Sequence, residues 1–242
     1  MHDFKKVLDH ATRISYFDQL RDYEIAKQEL YFKKISTWLY KFFRIITKTL
    51  IFLVNSIFIK KSSFYQNYQK YEWILVNDHS GHCEYFIDGI TKKFSKKDSI
   101  LIISINTKLE LNYDGIERKI IRFNNFTIFS YFDALKFCIE KKAIFKTLGI
   151  WKIPLFLNYV FENARAIQAM KFYEDIKLHT NSKLITLCDS HWHQSILTNE
   201  FNSRGLKTFT LIHGQPSDTS NSEISMRMQV NAIQNKLYLA WY

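Results

Sequence analysis

The chain of 242 residues contains little glycine and very little proline: six Gly and two Pro, Pro154 and Pro216. Flexible linkers are rich in these residues, so their scarcity excludes a string of small modules and predicts one main domain. A hydrophobic content of 47% and an aromatic content of 17% exclude a disordered protein. The chain can bury one core, with room for a helical extension.

Cysteine is also scarce. Cys83, Cys138 and Cys188 are odd in number, widely spaced and without a C-x-x-C pair, which excludes a disulfide framework. The first residues, MHDFKK, are not followed by the continuous apolar run of a signal peptide. Reduced thiols and the lack of an export signal predict a cytoplasmic protein.

Acidic residues are missing from one long segment. Between Leu30 and Tyr71 there is no Asp or Glu, although the whole chain has a net charge of +11. The same segment holds eight basic residues: Lys33, Lys34, Lys41, Arg44, Lys48, Lys60, Lys61 and Lys70. Most of the excess positive charge is therefore local, which argues against a nucleic-acid surface spread over the whole fold.

The segment from Ser36 to Lys61 has a helical pattern. Lys41, Arg44 and Lys48 recur at intervals of three and four, and apolar residues occupy most other positions. The longest uncharged stretch, Thr49 to Ile59, has 11 residues, too few for a spanning helix. We predict that residues 33–61 lie in the interface of an anionic membrane. An amphipathic helix packed on its own domain would show the same pattern.

From Glu72 onward, short apolar runs alternate with helical stretches, which predicts an α/β fold: a Rossmann-like parallel sheet flanked by helices. We divide the chain into an N-terminal helical extension, residues 1–71, and a Rossmann-like domain, residues 72–242. The predicted strands are Glu72–Asn77, Ser99–Ile105, Lys119–Phe123, Lys183–Cys188, Lys207–Ile212 and Lys236–Trp241. The predicted helices are His82–Lys93, Tyr131–Leu148, Leu155–His179 and His191–Arg204.

Ligands of an open parallel sheet bind beyond the carboxyl ends of its strands. Three of the predicted ends carry polar residues: Asn77-Asp78-His79-Ser80-Gly81-His82, Asp189-Ser190-His191 and His213-Gly214-Gln215-Pro216. The imidazole of His213 titrates near neutral pH and is suited to accept a proton from a hydroxyl nucleophile. Gly214 would let a substrate approach the backbone closely. Alternatively, His213 lies in a turn and satisfies a buried carbonyl.

The stretch from Asp189 to Pro216, DSHWHQSILTNEFNSRGLKTFTLIHGQP, resembles bacterial two-domain transferases of surface-polysaccharide and teichoic-acid synthesis, including the glycerophosphotransferase-like families. In those enzymes an Asp at a strand end opens a helix, a basic-Gly pair closes it, and the next strand runs into a His-Gly motif. The resemblance covers residues 183–242 well. Over residues 72–105 it is limited to the alternation of short apolar runs and helical stretches. It implies one half of a GT-B architecture, acting in capsule, lipopolysaccharide or teichoic-acid biosynthesis.

The resemblance also implies roles for single residues. His213 would be the general base that deprotonates a saccharide or polyol acceptor. The acceptor would be contacted by His79, Ser80, Gly81 and His82. Asp189, Gly214 and Gln215 would also bind substrate. Asp189 has the alternative role of capping the helix that follows it.

The resemblance places the nucleotide-activated donor in a C-terminal domain that this sequence does not contain, and no glycine-rich phosphate loop replaces it. We therefore expect no cofactor in this chain, and a polypeptide that binds acceptor weakly and does not turn over alone. Donor binding would need a separate or downstream domain. The alternative is a non-catalytic, membrane-associated Rossmann-like module, or the remnant of a longer gene.

Three further patterns are weaker. His79, His82 and Cys83 lack a fourth ligand at zinc spacing, so no metal site is predicted. Ser190 has no surrounding G-x-S-x-G elbow, which disfavours a hydrolase triad with Asp189 and His213. The aromatic residues from Tyr65 to Trp73 are able to stack on single-stranded nucleic acid, but such residues more often line a core edge or a membrane interface.

Overall fold

The computed structural model describes residues 31–58, 67–77, 92, 99–105, 115–121, 123, 125–141, 152–186, 192–212 and 238–240. The chain divides into two compact units. The first comprises Met1–Lys61 and Asn124–Lys171, and the second comprises Ser62–Phe123 and Phe172–Tyr242. The helix over Tyr31–Phe58 thus belongs with residues 124–171 in one unit.

The first unit is helical in its described part. Its helices are α1 (Tyr31–Phe58), α2 (Ile128–Glu140) and the part of α3 (Lys152–Glu174) that ends at Lys171. Three aromatic rings hold these segments together: Phe52 of α1 lies 5.6 Å from Phe126 and 4.9 Å from Phe161 of α3, measured between ring centroids. The edge-on geometry of Phe52 against Phe161 is the favourable arrangement of such rings.

Helix α2 begins where its sequence supplies a cap. The Thr127 hydroxyl accepts a hydrogen bond from the Ser130 backbone N–H at 3.1 Å. The Gln168 side chain of α3 accepts from the Thr127 N–H at 3.3 Å and from the Ser130 hydroxyl at 3.1 Å. This cap explains why the helix starts three residues before the predicted Tyr131.

The second unit contains a six-stranded sheet and helix α4 (Trp192–Ser203), which contacts two of the strands. Its strands are β2 (Trp73–Asn77), β3 (Ile100–Ile105), β4 (Glu117–Ile121), β6 (Lys183–Thr186), β7 (Lys207–Ile212) and β8 (Tyr238–Ala240). Two short strands, β1 (Asn67–Tyr68) and β5 (Lys177–Leu178), form a separate parallel pair. The predicted α/β class with a parallel sheet is confirmed.

All neighbours in the large sheet are parallel, in the order β4-β3-β2-β6-β7-β8. Counted along the chain, this is the 3-2-1-4-5-6 order of doubly wound sheets. Every residue of β3 is buried, as expected for a strand covered on both faces.

The boundaries of two further predicted elements were wrong. Strand β4 starts at Glu117 and ends at Ile121, because the ring of Phe123 packs 5.9 Å from Phe172 instead of joining the ladder. Helix α3 ends at Glu174, whereas we predicted His179. Lys177 and the residue after it pair with β1 instead.

Arg204 stabilises the end of α3. Its guanidinium donates to the carbonyl of Ile176 at 2.6 Å, of Tyr173 at 3.2 Å and of Glu174 at 3.1 Å. Its Nε donates to Glu200 at 2.7 Å. The last carbonyls of a helix lack intrahelical donors, so this one cation satisfies groups that would otherwise be unpaired.

The next residue, Gly205, closes α4. Its φ of +73° is left-handed, its N–H donates to the Asn202 carbonyl, and the Leu206 N–H donates to the Phe201 carbonyl. This is the Schellman arrangement, in which glycine avoids the steric cost of a Cβ. The predicted basic-Gly helix closure is therefore found at Arg204-Gly205.

We expect Arg204→Ala to lower the free energy of unfolding by about 2 kcal/mol, since several charge-assisted hydrogen bonds are lost. Arg204→Lys should recover little of this free energy of unfolding, because an ammonium cannot reproduce the paired donors of a guanidinium. Urea denaturation measures both, with Lys177→Ala as a control that removes an exposed cation at a cost within about 0.5 kcal/mol. A lysine variant as stable as the wild type would show that charge alone is sufficient.

Candidate functional site

The carboxyl ends of all six parallel strands lie at one edge of the sheet. The last strand residues are Asn77, Ile105, Ile121, Thr186, Ile212 and Ala240. At this edge the chain leaves the sheet, and backbone groups and side chains become accessible to ligands.

The strand order reverses between β2 and β6. From β2 the chain continues outward to β3 and β4, whereas from β6 it continues in the other direction to β7 and β8. The two strands pair in parallel, with Val76 opposite Thr186. In open parallel sheets such a reversal opens a crevice between the departing connections, and ligands bind there.

All predicted site residues lie outside the described residues: His79, Ser80, Gly81, His82, Asp189, His213, Gly214 and Gln215. The strands that lead to them are described. Strand β2 ends at Asn77, β6 at Thr186 and β7 at Ile212, and these three strands are consecutive in the sheet. The three polar segments therefore follow three neighbouring strand ends, while their individual roles stay predictions.

Polar side chains also occur inside the sheet near this edge. Ser104, one residue before the end of β3, is fully buried and accepts a hydrogen bond from Nε of Arg118 at 3.0 Å. Thr186, the last residue of β6, is fully buried, and its hydroxyl lies 3.4 Å from the Phe209 carbonyl. A guanidinium and two hydroxyls thus lie within strands β3, β4 and β6.

The first turns of α4 hold four buried polar side chains. His193, Gln194, Ser195 and Thr198 are each at most 7% exposed. Helix α4 begins six residues after β6, the strand at the reversal point. Buried polar groups destabilise a fold unless they are hydrogen-bonded, so this concentration is unusual for a helix that serves only packing.

The sequence patterns did not predict this cluster. The run HQSILT offers no continuous apolar stripe that would mark a buried helical face. The only indication of a functional role in the sequence was the position of this helix directly after the strand that became β6.

Several ionisable groups of the described residues with shifted pKa values lie elsewhere, around the first residue of β4. Lys70 Nζ lies 2.6 Å from Glu117 Oε2. The hydrogen bond from Lys70 lowers the pKa of Glu117. Burial raises the pKa of Tyr68, whose ring is contacted by Lys119 at 4.6 Å. Since Glu117 begins its strand, these groups support the amino edge of the sheet.

Neither a protein-family model, nor a curated protein, nor a solved structure matches this chain. Its function therefore has to be inferred from its own residues and geometry.

Three further observations concern the described part of the chain. It contains no group of three His, Cys, Asp or Glu side chains arranged to hold a metal ion, and the candidates His79, His82 and Cys83 lie outside it. None of its helices is long and apolar enough to cross a bilayer. The thiol of Cys138 is buried, and burial raises its pKa.

The buried hydroxyls of α4 and β7 give a matched test. The Thr198 hydroxyl has no hydrogen-bond partner among the described residues, whereas the Thr208 hydroxyl donates to Asn202 Oδ1 at 3.0 Å. We expect Thr198→Val to leave the free energy of unfolding unchanged or to raise it, and Thr208→Val to lower it by about 1 kcal/mol. Equal losses in urea denaturation would show that Thr198 is hydrogen-bonded after all.

Proposed function

We propose that this chain is the acceptor-side Rossmann-like domain of a two-domain glycosyl- or polyol-phosphate transferase of cell-surface polysaccharide synthesis. The observation that carries the proposal is the adjacency of β2, β6 and β7 in an all-parallel sheet with the 3-2-1-4-5-6 order. Their carboxyl ends lead into the segments that contain His79, Asp189 and His213. The resemblance of residues 183–242 to transferases supplies the reaction class.

In the proposed reaction, His213 accepts the proton of an acceptor hydroxyl. The hydroxyl oxygen then bonds to the anomeric carbon or the phosphorus of the activated donor, and the bond from that atom to the nucleotide phosphate breaks. The nucleotide leaves with the bonding electron pair. Strand β7, which ends at Ile212, would place His213 at the rim of the sheet.

The polar segment after β2 would contact the acceptor. His79, Ser80 and His82 provide donors and acceptors for hydroxyl groups, and Gly81 leaves space for close approach. Asp189 would either cap α4 or contact the substrate. Gly214 and Gln215 would contact the substrate beside the base.

We expect His213→Ala to lower kcat/KM by about 10²- to 10⁴-fold, the range that a positioned general base contributes. The longest protein that the gene encodes would be assayed against a panel of sugar nucleotides and polyol nucleotides. In the wild type the rate should rise with pH through the pKa of a histidine, about 6.5 when unperturbed. His213→Asn should lose this dependence. Full activity in both variants would show that another group is the base.

A second candidate function is supported by the surface of α1. Ile35, Leu39, Phe43, Leu50, Val54 and Ile57 are between 40% and 78% exposed. At 100° per residue they lie within about 100° of one another, along about 33 Å of helix. Tyr40 and Ile51 are also exposed and extend this apolar face. Lys41, Arg44 and Lys48 lie about 80–140° beyond the edge of the stripe, on the polar side of the helix. An exposed apolar face with cations on the polar side suits the interface of an anionic membrane, so α1 would anchor a membrane-associated module.

Vesicle flotation tests this anchoring. The protein should float with vesicles rich in anionic lipid and much less with neutral ones. Replacing Leu50 and Ile57 with Ser should weaken binding by about tenfold, because apolar area no longer enters the bilayer. As a control, Ile120→Ser replaces an isoleucine of β4 that is 51% exposed. This variant should bind vesicles as the wild type does. Failure to bind either kind of vesicle would refute the anchor.

A further inference from the structure

A cleft of about 230 Å³ lies between α1 and α3 within the first unit. Lys41, Arg44 and Lys48 line one wall. They follow one another at intervals of three and four residues, so a single face of α1 presents all three cations. The cleft is therefore lined by an unusual density of positive charge.

The negative charge of the opposite wall is smaller than the positive charge of the first wall. Leu155, Asn158 and Glu162 of α3 have the same spacing, and Glu162 is the only acidic residue among the described residues that line the cleft. Its carboxylate is already engaged by Arg165, whose NH1 lies 3.0 Å from Oε2 and 3.3 Å from Oε1. Three lining cations thus face one carboxylate that a fourth cation shares.

The electrostatics of Lys48 agree with this excess. Burial lowers the pKa of Lys48, the neighbouring guanidinium of Arg44 lowers it further, and the attraction of Glu162 opposes these effects. Two cations that disfavour one another at a partly desolvated position are stabilised by an anion bound between them.

The remaining lining residues limit what this anion can be. Ile45, Pro154 and Leu155 are buried and apolar. Pockets for drug-sized ligands occupy roughly 300–1,000 Å³, so this one accommodates only a small group. A guanidinium binds phosphate oxygens in pairs, lysines add point charges, and the Asn158 amide can donate a further hydrogen bond. A phosphate dianion also offsets more of the local charge than a carboxylate does.

We propose that this cleft binds the phosphate group of a phosphomonoester, either a small soluble molecule or the headgroup of a lipid. The site lies within the first unit, and the proposed transferase site lies within the second. The proposal is therefore independent of the proposed catalytic function, and the failure of one would leave the other intact.

Calorimetric titration at constant ionic strength tests the site and separates the two sources. One arm uses inorganic phosphate and glycerol 3-phosphate, and the other uses phosphatidylcholine vesicles with and without phosphatidic acid. Saturable binding in the first arm supports a soluble ligand. Binding only to the vesicles with phosphatidic acid supports a lipid headgroup.

Four variants identify the cleft as the place of binding. Arg44→Gln and Lys48→Gln should each weaken it by about tenfold, since each removes a charged contact. Glu162→Gln should strengthen binding severalfold, an increase that a damaged fold would not produce. Lys136→Gln removes a cation of α2 outside the cleft and should change nothing.

Two results would overturn the proposal. One is the absence of saturable binding in both arms. The other is an equal effect of Lys136→Gln and Arg44→Gln, which would show attraction to general surface charge. Circular dichroism of each variant establishes that a lost affinity does not reflect a lost fold.

Discussion

The parallel pairing of β2 with β6 determines where the candidate site lies, because it joins segments that are far apart in the chain. Glu72 and Lys183, at the start of this ladder, are 111 positions apart, yet the Lys183 ammonium lies 2.7 Å from the Glu72 carboxylate. The buried Ser182 hydroxyl donates to the Tyr71 carbonyl at 2.9 Å. Without this ladder the sheet would fall into two three-stranded halves, and the crevice between the ends of β2 and β6 would not exist.

The strands with continuous apolar runs could be predicted from the sequence alone. The run ILIISI of β3 is apolar at consecutive positions, and a strand covered on both faces is the structure that buries it. The ends of β4 and α3 were missed because distant residues decide them: Phe172 draws Phe123 out of the ladder, and Arg204 pairs the final carbonyls of α3. The polar strand ends were visible in the sequence, but their adjacency depends on long-range pairing. The buried polar face of α4 had no local signal.

The two units differ in the kind of chemistry that they present. The described part of the second unit contains hydroxyls, amides and a histidine that are buried near the parallel strand ends, and the ligand proposed for this unit is a neutral, hydroxyl-rich acceptor. The described part of the first unit presents cations and exposed apolar side chains on α1, groups that suit a negatively charged or lipid-like partner. A neutral acceptor would be a poor ligand for the cations of the first unit, so substitutions in each unit should affect binding separately.

The central position of β2 and β6 has a consequence for synthesis on the ribosome. Strand β6, which covers the second edge of β2, is translated about 110 residues after β2. At about 5–20 residues per second this is an interval of about 5–20 s. During that time the nascent chain carries an unpaired edge with Ile74, Leu75 and Val76, which are buried in the finished sheet. Such an edge is a template for aggregation. The production of this protein should therefore depend on chaperones that bind extended apolar segments.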